Sequence, residues 1–195
     1  DRLIYTQVND EIKAKLQYDN MGNLIQLDDI TGSLVMEYDI RNRITSRVLN
    51  SLSKTSYTYD MDDNMTLVTY PNEMAIKYTF DFRQRTTSIH VDDVDIQLEY
   101  DALDRVTCIR RSNGVNTTYD YNKKSYITQI EHEKDKLLLA GLYYIYDEVG
   151  NIVEQLESIP SLENASESQE TYLSFQYNSQ NQVISDSQEN IYTYD

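Results

Sequence analysis

Tryptophan is absent from the 195 residues, cysteine occurs once, proline twice, phenylalanine three times and glycine five times. Each scarcity excludes something. The single thiol, Cys108, rules out an intrachain disulfide, so packing alone must hold the chain, even in an oxidising setting. Basic residues are also scarce, 17 Lys and Arg against 33 Asp and Glu, for a net charge of -16. That balance opposes nucleic acid and anionic membranes as partners, since both demand clustered cations. Long apolar runs are missing too: the longest candidate, "LLLAGLYYIY" from Leu137, is too short to span a bilayer. The opening "DRLIYTQVND" has no basic, apolar and small-residue leader pattern, and "NIYTYD" at the other end stops inside a recurring phrase, so the sequence is expected to be a piece of a longer protein.

What the chain has instead is tyrosine, 18 copies of it. These rings want burial and a partner for the hydroxyl, and with Thr, Ile and Val they favour pleated, half-buried surfaces. They are also periodic. "YDNMGNLI" from Tyr18 returns as "YDIRNRIT" from Tyr38, "YDMDDNMT" from Tyr59 and "YDALDRVT" from Tyr100. Aligned on the aromatic residue, units begin at Tyr18, Tyr38, Tyr59, Phe80, Tyr100, Tyr121, Tyr146, Tyr177 and Tyr194, with gaps of 20, 21, 21, 20, 21, 25, 31 and 17 residues. A period near 20 is too short for paired helices and fits two short strands with two turns.

Position by position, the unit describes a hairpin. The residue after the anchor is always Asp or Asn: Asp19, Asp39, Asp60, Asp81, Asp101, Asn122, Asp147, Asn178 and Asp195. Such a side chain, leaving a strand, accepts backbone N–H bonds from the following residues and sets a turn. The fifth position, Gly22, Asn42, Asp63, Gln84, Asp104, Ser125, Gly150 and Asn181, mostly holds residues that tolerate positive φ. Two places later an apolar face restarts at Leu24, Ile44, Met65, Val106, Ile127, Ile152 and Val183, with Thr86 the polar exception. Before the anchor, Leu16, Met36, Tyr57, Tyr78 and Leu98 alternate with Gln17, Glu37, Thr58 and Glu99, the period of a strand with one buried face. Far-end turns are expected at Asn113-Gly114, at "TG" from Thr31, at "YPNE" from Tyr70 and at "VDDVD" from Val91. The sequence predicts an all-β meander, one array over 1–195. It also predicts a flexible, acidic loop over 157–171 and a short helix in "EHEKDKLLLAGL" from Glu131.

The pattern Tyr-Asp, two variable residues, Gly or Asn, Asn or Arg, then an aliphatic residue resembles the YD repeat of the Rhs family. "YDNMGNLI" at Tyr18 and "YDEVGNIV" at Tyr146 are the fullest copies, and the match runs from about Leu16 to Asp195. The resemblance implies hairpins that form a curved, spiralling sheet, an open segment of a hollow shell. In bacterial Rhs proteins and Tc toxin B and C components such a shell encloses a toxic C-terminal domain; in teneurins it belongs to a cell-surface adhesion protein. It further implies a secreted or cell-surface setting, with more YD repeats of the same parent chain and an enclosed effector as partners. The Asp-Pro-rich end associated with toxin release has no counterpart, because the two prolines follow Tyr70 and Ile159. Exposed terminal strands are expected to pair edge to edge with a second copy of the fragment.

Little in the sequence selects chemistry. Cys108 sits in a slot that elsewhere holds Ser46, Ser88 and Ser185, so a small strand residue is the plain reading. "HEKDK" at His132 has Lys136 where a zinc helix needs its second His, and His90 stands at a unit end. The clusters Asp60, Asp62, Asp63 and Asp92, Asp93, Asp95 are calcium candidates, although three carboxylates fill only part of a shell of six to eight oxygens. Nothing singles out a carboxylate pair for glycoside hydrolysis. Asn64, Asn116 and Asn164 lie in glycosylation sequons. No cofactor, catalytic residue or enzyme activity is therefore assigned, and Tyr and Asp of each unit are read as architectural. The alternative is a carbohydrate-binding or adhesive module, which needs rings open to a glycan; buried rings would favour the wall.

Overall fold

The structure, a computed structural model, describes residues 2–8, 11–160 and 168–194. Among them are seventeen β-strands and no helix. The chain divides into two compact units, Asp1–Asp95 and Ile96–Asp195. The first holds β1 (Tyr5–Val8), β2 (Glu11–Tyr18), β3 (Leu24–Asp29), β4 (Gly32–Tyr38), β5 (Ile44–Leu49), β6 (Ser53–Tyr59), β7 (Met65–Thr69), β8 (Ala75–Phe80) and β9 (Thr86–Val91), and the division falls inside β10 (Val94–Tyr100). The second continues with β11 (Val106–Arg111), β12 (Val115–Tyr121), β13 (Ile127–Lys134), β14 (Leu137–Tyr146), β15 (Ile152–Pro160), β16 (Ser168–Tyr177) and β17 (Val183–Asp186). Within each unit consecutive strands pair antiparallel in chain order, a meander of hairpins.

Period-two patterning decides the faces. In β4, Leu34, Met36 and Tyr38 are sheltered while Val35 and Glu37 are exposed; β8 repeats this with Ile76, Tyr78 and Phe80 against Lys77 and Thr79. Cross-strand partners extend the apolar face: Leu34 faces Leu49, Tyr57 faces Val68, Tyr78 faces Ile89. Such pairs are the stabilising unit of a sheet. Few side chains are deeply covered, however; the buried hydrophobic residues are Met36 and Val68 in the first unit and Cys108 in the second.

One irregularity recurs at each anchor from Tyr18 to Tyr177. The register shifts between Gln17 and Tyr18, Glu37 and Tyr38, Thr58 and Tyr59, and Thr79 and Phe80 in the first unit. In the second it shifts between Glu99 and Tyr100, Asp120 and Tyr121, Ile145 and Tyr146, and Gln176 and Tyr177. Tyr38 faces Ile44 while Glu37 faces Ser46, so Thr45 is the extra residue of a bulge. The bulge therefore puts Ile44 and Ser46 on opposite faces although they are two apart. Its occupants are Ile25, Thr45, Thr66, Thr87, Thr107, Thr128, Val153 and Ile184, all β-branched and suited to extended backbone.

Two expectations need correction. The helix from Glu131 does not form: Glu131 faces Gly141 and His132 faces Ala140 in the β13–β14 ladder. Asp135 and Lys136 connect these strands with φ of 52° and 67°, the paired left-handed residues of a tight hairpin turn, and Gly141 would weaken a helix interior. The loop expected over 157–171 does not hold for 157–160 and 168–171, because Glu157 faces Thr171 and Pro160 faces Ser168 across β15 and β16. Proline is tolerated there because it ends its strand. Residues 161–167, with Asn164, and Asp195 lie outside the described residues.

Candidate functional site

The repeated turn is the most organised constellation in each unit, and Asp39 shows its construction. The Asp39 N–H donates to the Arg43 carbonyl at 3.0 Å, and the Asn42 N–H returns to the Asp39 carbonyl at 3.0 Å. Asp39 Oδ1 accepts from the N–H groups of Arg41 at 2.8 Å and Arg43 at 3.0 Å, while Oδ2 accepts from Arg43 Nε at 2.7 Å. Asp60, Asp81, Asp101 and Asp147 repeat the arrangement, Asp19 accepts from the N–H and side chain of Asn23, and Asn122 and Asn178 provide the backbone bonds through their amide oxygens. Each turn ends in a left-handed residue, from Gly22 at φ 97° through Asn42 at 62° and Asp63 at 69° to Gly150 at 103°. Donors converging on one carboxylate favour its charged form. Side-chain bonds from Asn23, Asn64 and Arg105 lead in lowering the pKa of Asp19, Asp60 and Asp101, and the Arg43 backbone bond leads for Asp39.

The anchor ring ties one hairpin to the one before it. In the first unit, the hydroxyls of Tyr18, Tyr38 and Tyr59 donate to the carbonyls of Leu3, Leu24 and Ile44 at 3.0, 2.9 and 2.9 Å. In the second, Tyr121, Tyr146, Tyr177 and Tyr194 donate to Val106, Ile127, Ile152 and Val183 at 2.8, 2.6, 2.7 and 2.8 Å. The acceptor is the aliphatic residue that restarts the strand after the preceding turn; Leu3 holds that place for Tyr18. Phe80 has no hydroxyl to donate, and Tyr100 is half-buried at the end of β10. The rings from Tyr18 to Tyr177 are half-buried, and burial pushes the phenols of Tyr38, Tyr59, Tyr121, Tyr146 and Tyr177 up.

A third member went unassigned in the sequence, although its Asn or Arg character was visible there. The residue after the left-handed position covers the next anchor: the Arg43 guanidinium lies 4.6 Å from the Tyr59 ring centre, Arg105 lies 4.4 Å from that of Tyr121, and the Tyr126 ring stands 5.0 Å from that of Tyr146. A further turn of the same build was also missed. Asp186 accepts from the N–H groups of Gln188 and Asn190, with Glu189 at φ 66°, but no aromatic residue precedes it to advertise the motif.

The other candidates find ordinary partners. Asp60 is occupied by its turn, and Asp63 Oδ1 accepts from Arg41 at 2.9 Å and Arg43 at 2.6 Å. Asp95 meets His90 at 2.6 Å, the Asp62 N–H donates to Asp60, and Asp92 and Asp93 lie between β9 and β10. Among the described residues no three or more His, Cys, Asp or Glu gather as a group able to hold a metal ion. Cys108 is 6% exposed, and burial pushes its thiol up, away from a reactive thiolate. The fully buried Thr117 hydroxyl bridges Arg111 at 2.8 Å and His132 at 2.9 Å. Asn64 donates its side-chain amide to Asp60, and Asn116 sits in β12 between Arg110 and Glu133, poor settings for glycosylation.

Comparison with known proteins follows the same geometry. The family model described as Teneurin YD-shell matches residues 31–157, well over half of the chain. A crystal structure of TcdB2-TccC3-TEV aligns at TM-score 0.77 and 17% identity over 90% of this chain and 10% of that one. A TcdB2-TccC3-Cdc42 structure aligns at 0.77 and 17% over 92% and 11%, and a Tc holotoxin pore from Photorhabdus luminescens at 0.76 and 17% over the same shares. The chain therefore spans about a tenth of the length of the solved chains it matches. No curated protein matches it.

Proposed function

The chain belongs to the teneurin YD-shell family, and from that premise we propose that it is wall, a non-enzymatic stretch of a secreted or surface-exposed shell of the Rhs or Tc-toxin type that encloses a toxic C-terminal domain. The observation that carries this reading is the use of the tyrosine hydroxyls. The hydroxyls of the anchors Tyr38, Tyr59, Tyr121 and Tyr146 donate to carbonyls of the preceding hairpin, and the Asp or Asn side chain beside each anchor is engaged by its own turn. Groups held in this way build a wall and are not offered to a ligand. This supports an architectural role for them, with further YD repeats of the parent chain as immediate neighbours. The likeness to TcdB2-TccC3 structures supports the fold on which the proposal stands.

The test uses the full-length parent. Limited proteolysis is expected to leave the segment downstream of the repeats intact while the shell is folded and to degrade it once the shell is denatured; equal cleavage in both states would overturn enclosure. A glycan array with the 195-residue protein addresses the carbohydrate reading. Saturable binding abolished by nitration of tyrosine would replace the wall with an adhesive module.

A further inference from the structure

The residue that follows the left-handed position points to the turn of the next hairpin, and what it meets there is matched to it. In the first unit Asn23 Nδ2 donates to Asn42 Oδ1 at 2.8 Å, and Arg43 Nη1 donates to Asp63 Oδ1 at 2.6 Å. In the second, Arg105 Nη1 donates to Ser125 Oγ at 3.2 Å, and Asn151 Nδ2 donates to Asn181 Oδ1 at 3.1 Å. All four acceptors are themselves the left-handed residues of their turns, with φ of 62°, 69°, 66° and 60°. Where that residue is glycine the match is one of shape. A Cβ on Gly22 would overlap the Arg2 guanidinium, and one on Gly150 would lie 2.5 Å from the Tyr126 hydroxyl. Beside Gly22 and Gly150 the space is filled by a larger forward side chain, and Asn42, Asp63, Ser125 and Asn181 each receive a hydrogen bond.

We propose that these pairs are a register code, in which the forward-pointing residue of one turn selects the left-handed residue of the next and so determines which hairpin docks after which. The need for one is physical. Ladder hydrogen bonds are the same for every hairpin, so backbone pairing between near-identical repeats does not distinguish the correct neighbour from a skipped one. Tandem repeats are prone to this misassembly. The side-chain pairs supply the difference, because a Tyr126-type residue cannot close on a turn carrying a side chain at the glycine position, and an Asn151-type residue over glycine loses its acceptor. The code is also directional, with the donor on the earlier turn and the acceptor on the next, so the partner that fits it is a hairpin of the same class added head to tail. Arg43, Arg105, Tyr126 and Asn151 are positioning residues in this sense. The proposal stands on turn geometry and does not depend on enclosure of a cargo.

The test is a pair of mutant cycles in the 195-residue protein, read as thermal midpoints by near-ultraviolet circular dichroism. Gly150→Asn is expected to lower the midpoint by about 3–6 °C and Tyr126→Asn by about 2–4 °C. The double variant, which recreates the Asn151–Asn181 pairing, is expected to melt above both singles; a double below both overturns the code. Should Gly150→Asn fail to fold, recovery of folding in the double is the same positive result. The second cycle combines Asn181→Gly with Asn151→Ala. Asn181→Gly is expected to lower the midpoint by about 1–3 °C in the parent and to have no effect once Asn151 is gone. Equal losses in both backgrounds overturn the proposal.

Discussion

At the residue scale the phenol hydroxyl and the carboxylate do separate work, and each can be removed alone. Tyr59→Phe keeps the ring beneath Arg43 and deletes only the bond to the Ile44 carbonyl, so it is expected to cost about 1 kcal/mol, read as a shift in the urea midpoint. Phe80 offers the reverse experiment: Phe80→Tyr is expected to raise stability by up to about 1 kcal/mol by donating to the Met65 carbonyl, which stands in the repeat where that of Ile44 does. An unchanged midpoint in both variants would remove the hydroxyl from the account of how hairpins are joined. Asp39→Ala removes acceptors for three N–H groups and is expected to lower the thermal midpoint by about 2–4 °C, with Asp39→Asn, which resembles the natural Asn122 turn, losing less.

At the element scale the hairpins owe their shape to left-handed residues and bulges, and only part of this was legible in the sequence. The Asx residue was readable because its chemistry is restricted at every copy, and the one three places later because Gly, Asn or Asp holds it in most copies. The bulge residue was readable in principle, since Thr45, Thr66, Thr87, Thr107 and Thr128 hold it in succession, but an unpaired strand residue has no pattern of its own until the partner strand is known. The β13–β14 connection misled because Lys136 is an unusual occupant of a turn position that wants Gly. Lys136→Gly is expected to stabilise the protein by about 1 kcal/mol through relief of its strained φ. A lower melting midpoint would argue that Lys136 makes a contact worth more than that strain.

At the scale of the whole molecule, stability should depend on pH from both sides. The turn carboxylates have folded pKa values below their unfolded ones, so their contribution is complete above about pH 4 and is lost as pH falls through the folded values. The phenols behave oppositely. Their pKa values are raised on folding, Tyr143 to about 12 by burial and the bond to Glu131, so their contribution is complete below about pH 10 and is lost as pH climbs through the folded values. Denaturant midpoints between pH 2 and 12 should therefore form a plateau with two falling flanks; a flat acid flank would deny the turns their role. The sequence by itself determined the strand class, the length of the repeat, the turn that closes it and the family, because these depend on local backbone preferences and on periodicity, which a chain displays residue by residue. Only the tertiary structure decided where the anchor tyrosine hydroxyls go, why Asn or Arg follows the left-handed residue, and that His132 meets the Thr117 hydroxyl. Those facts are contacts between residues about 15 to 30 apart, brought together by hairpin docking. Physical chemistry gives a side chain its capacities, and the neighbour that the fold places against it decides which one is used.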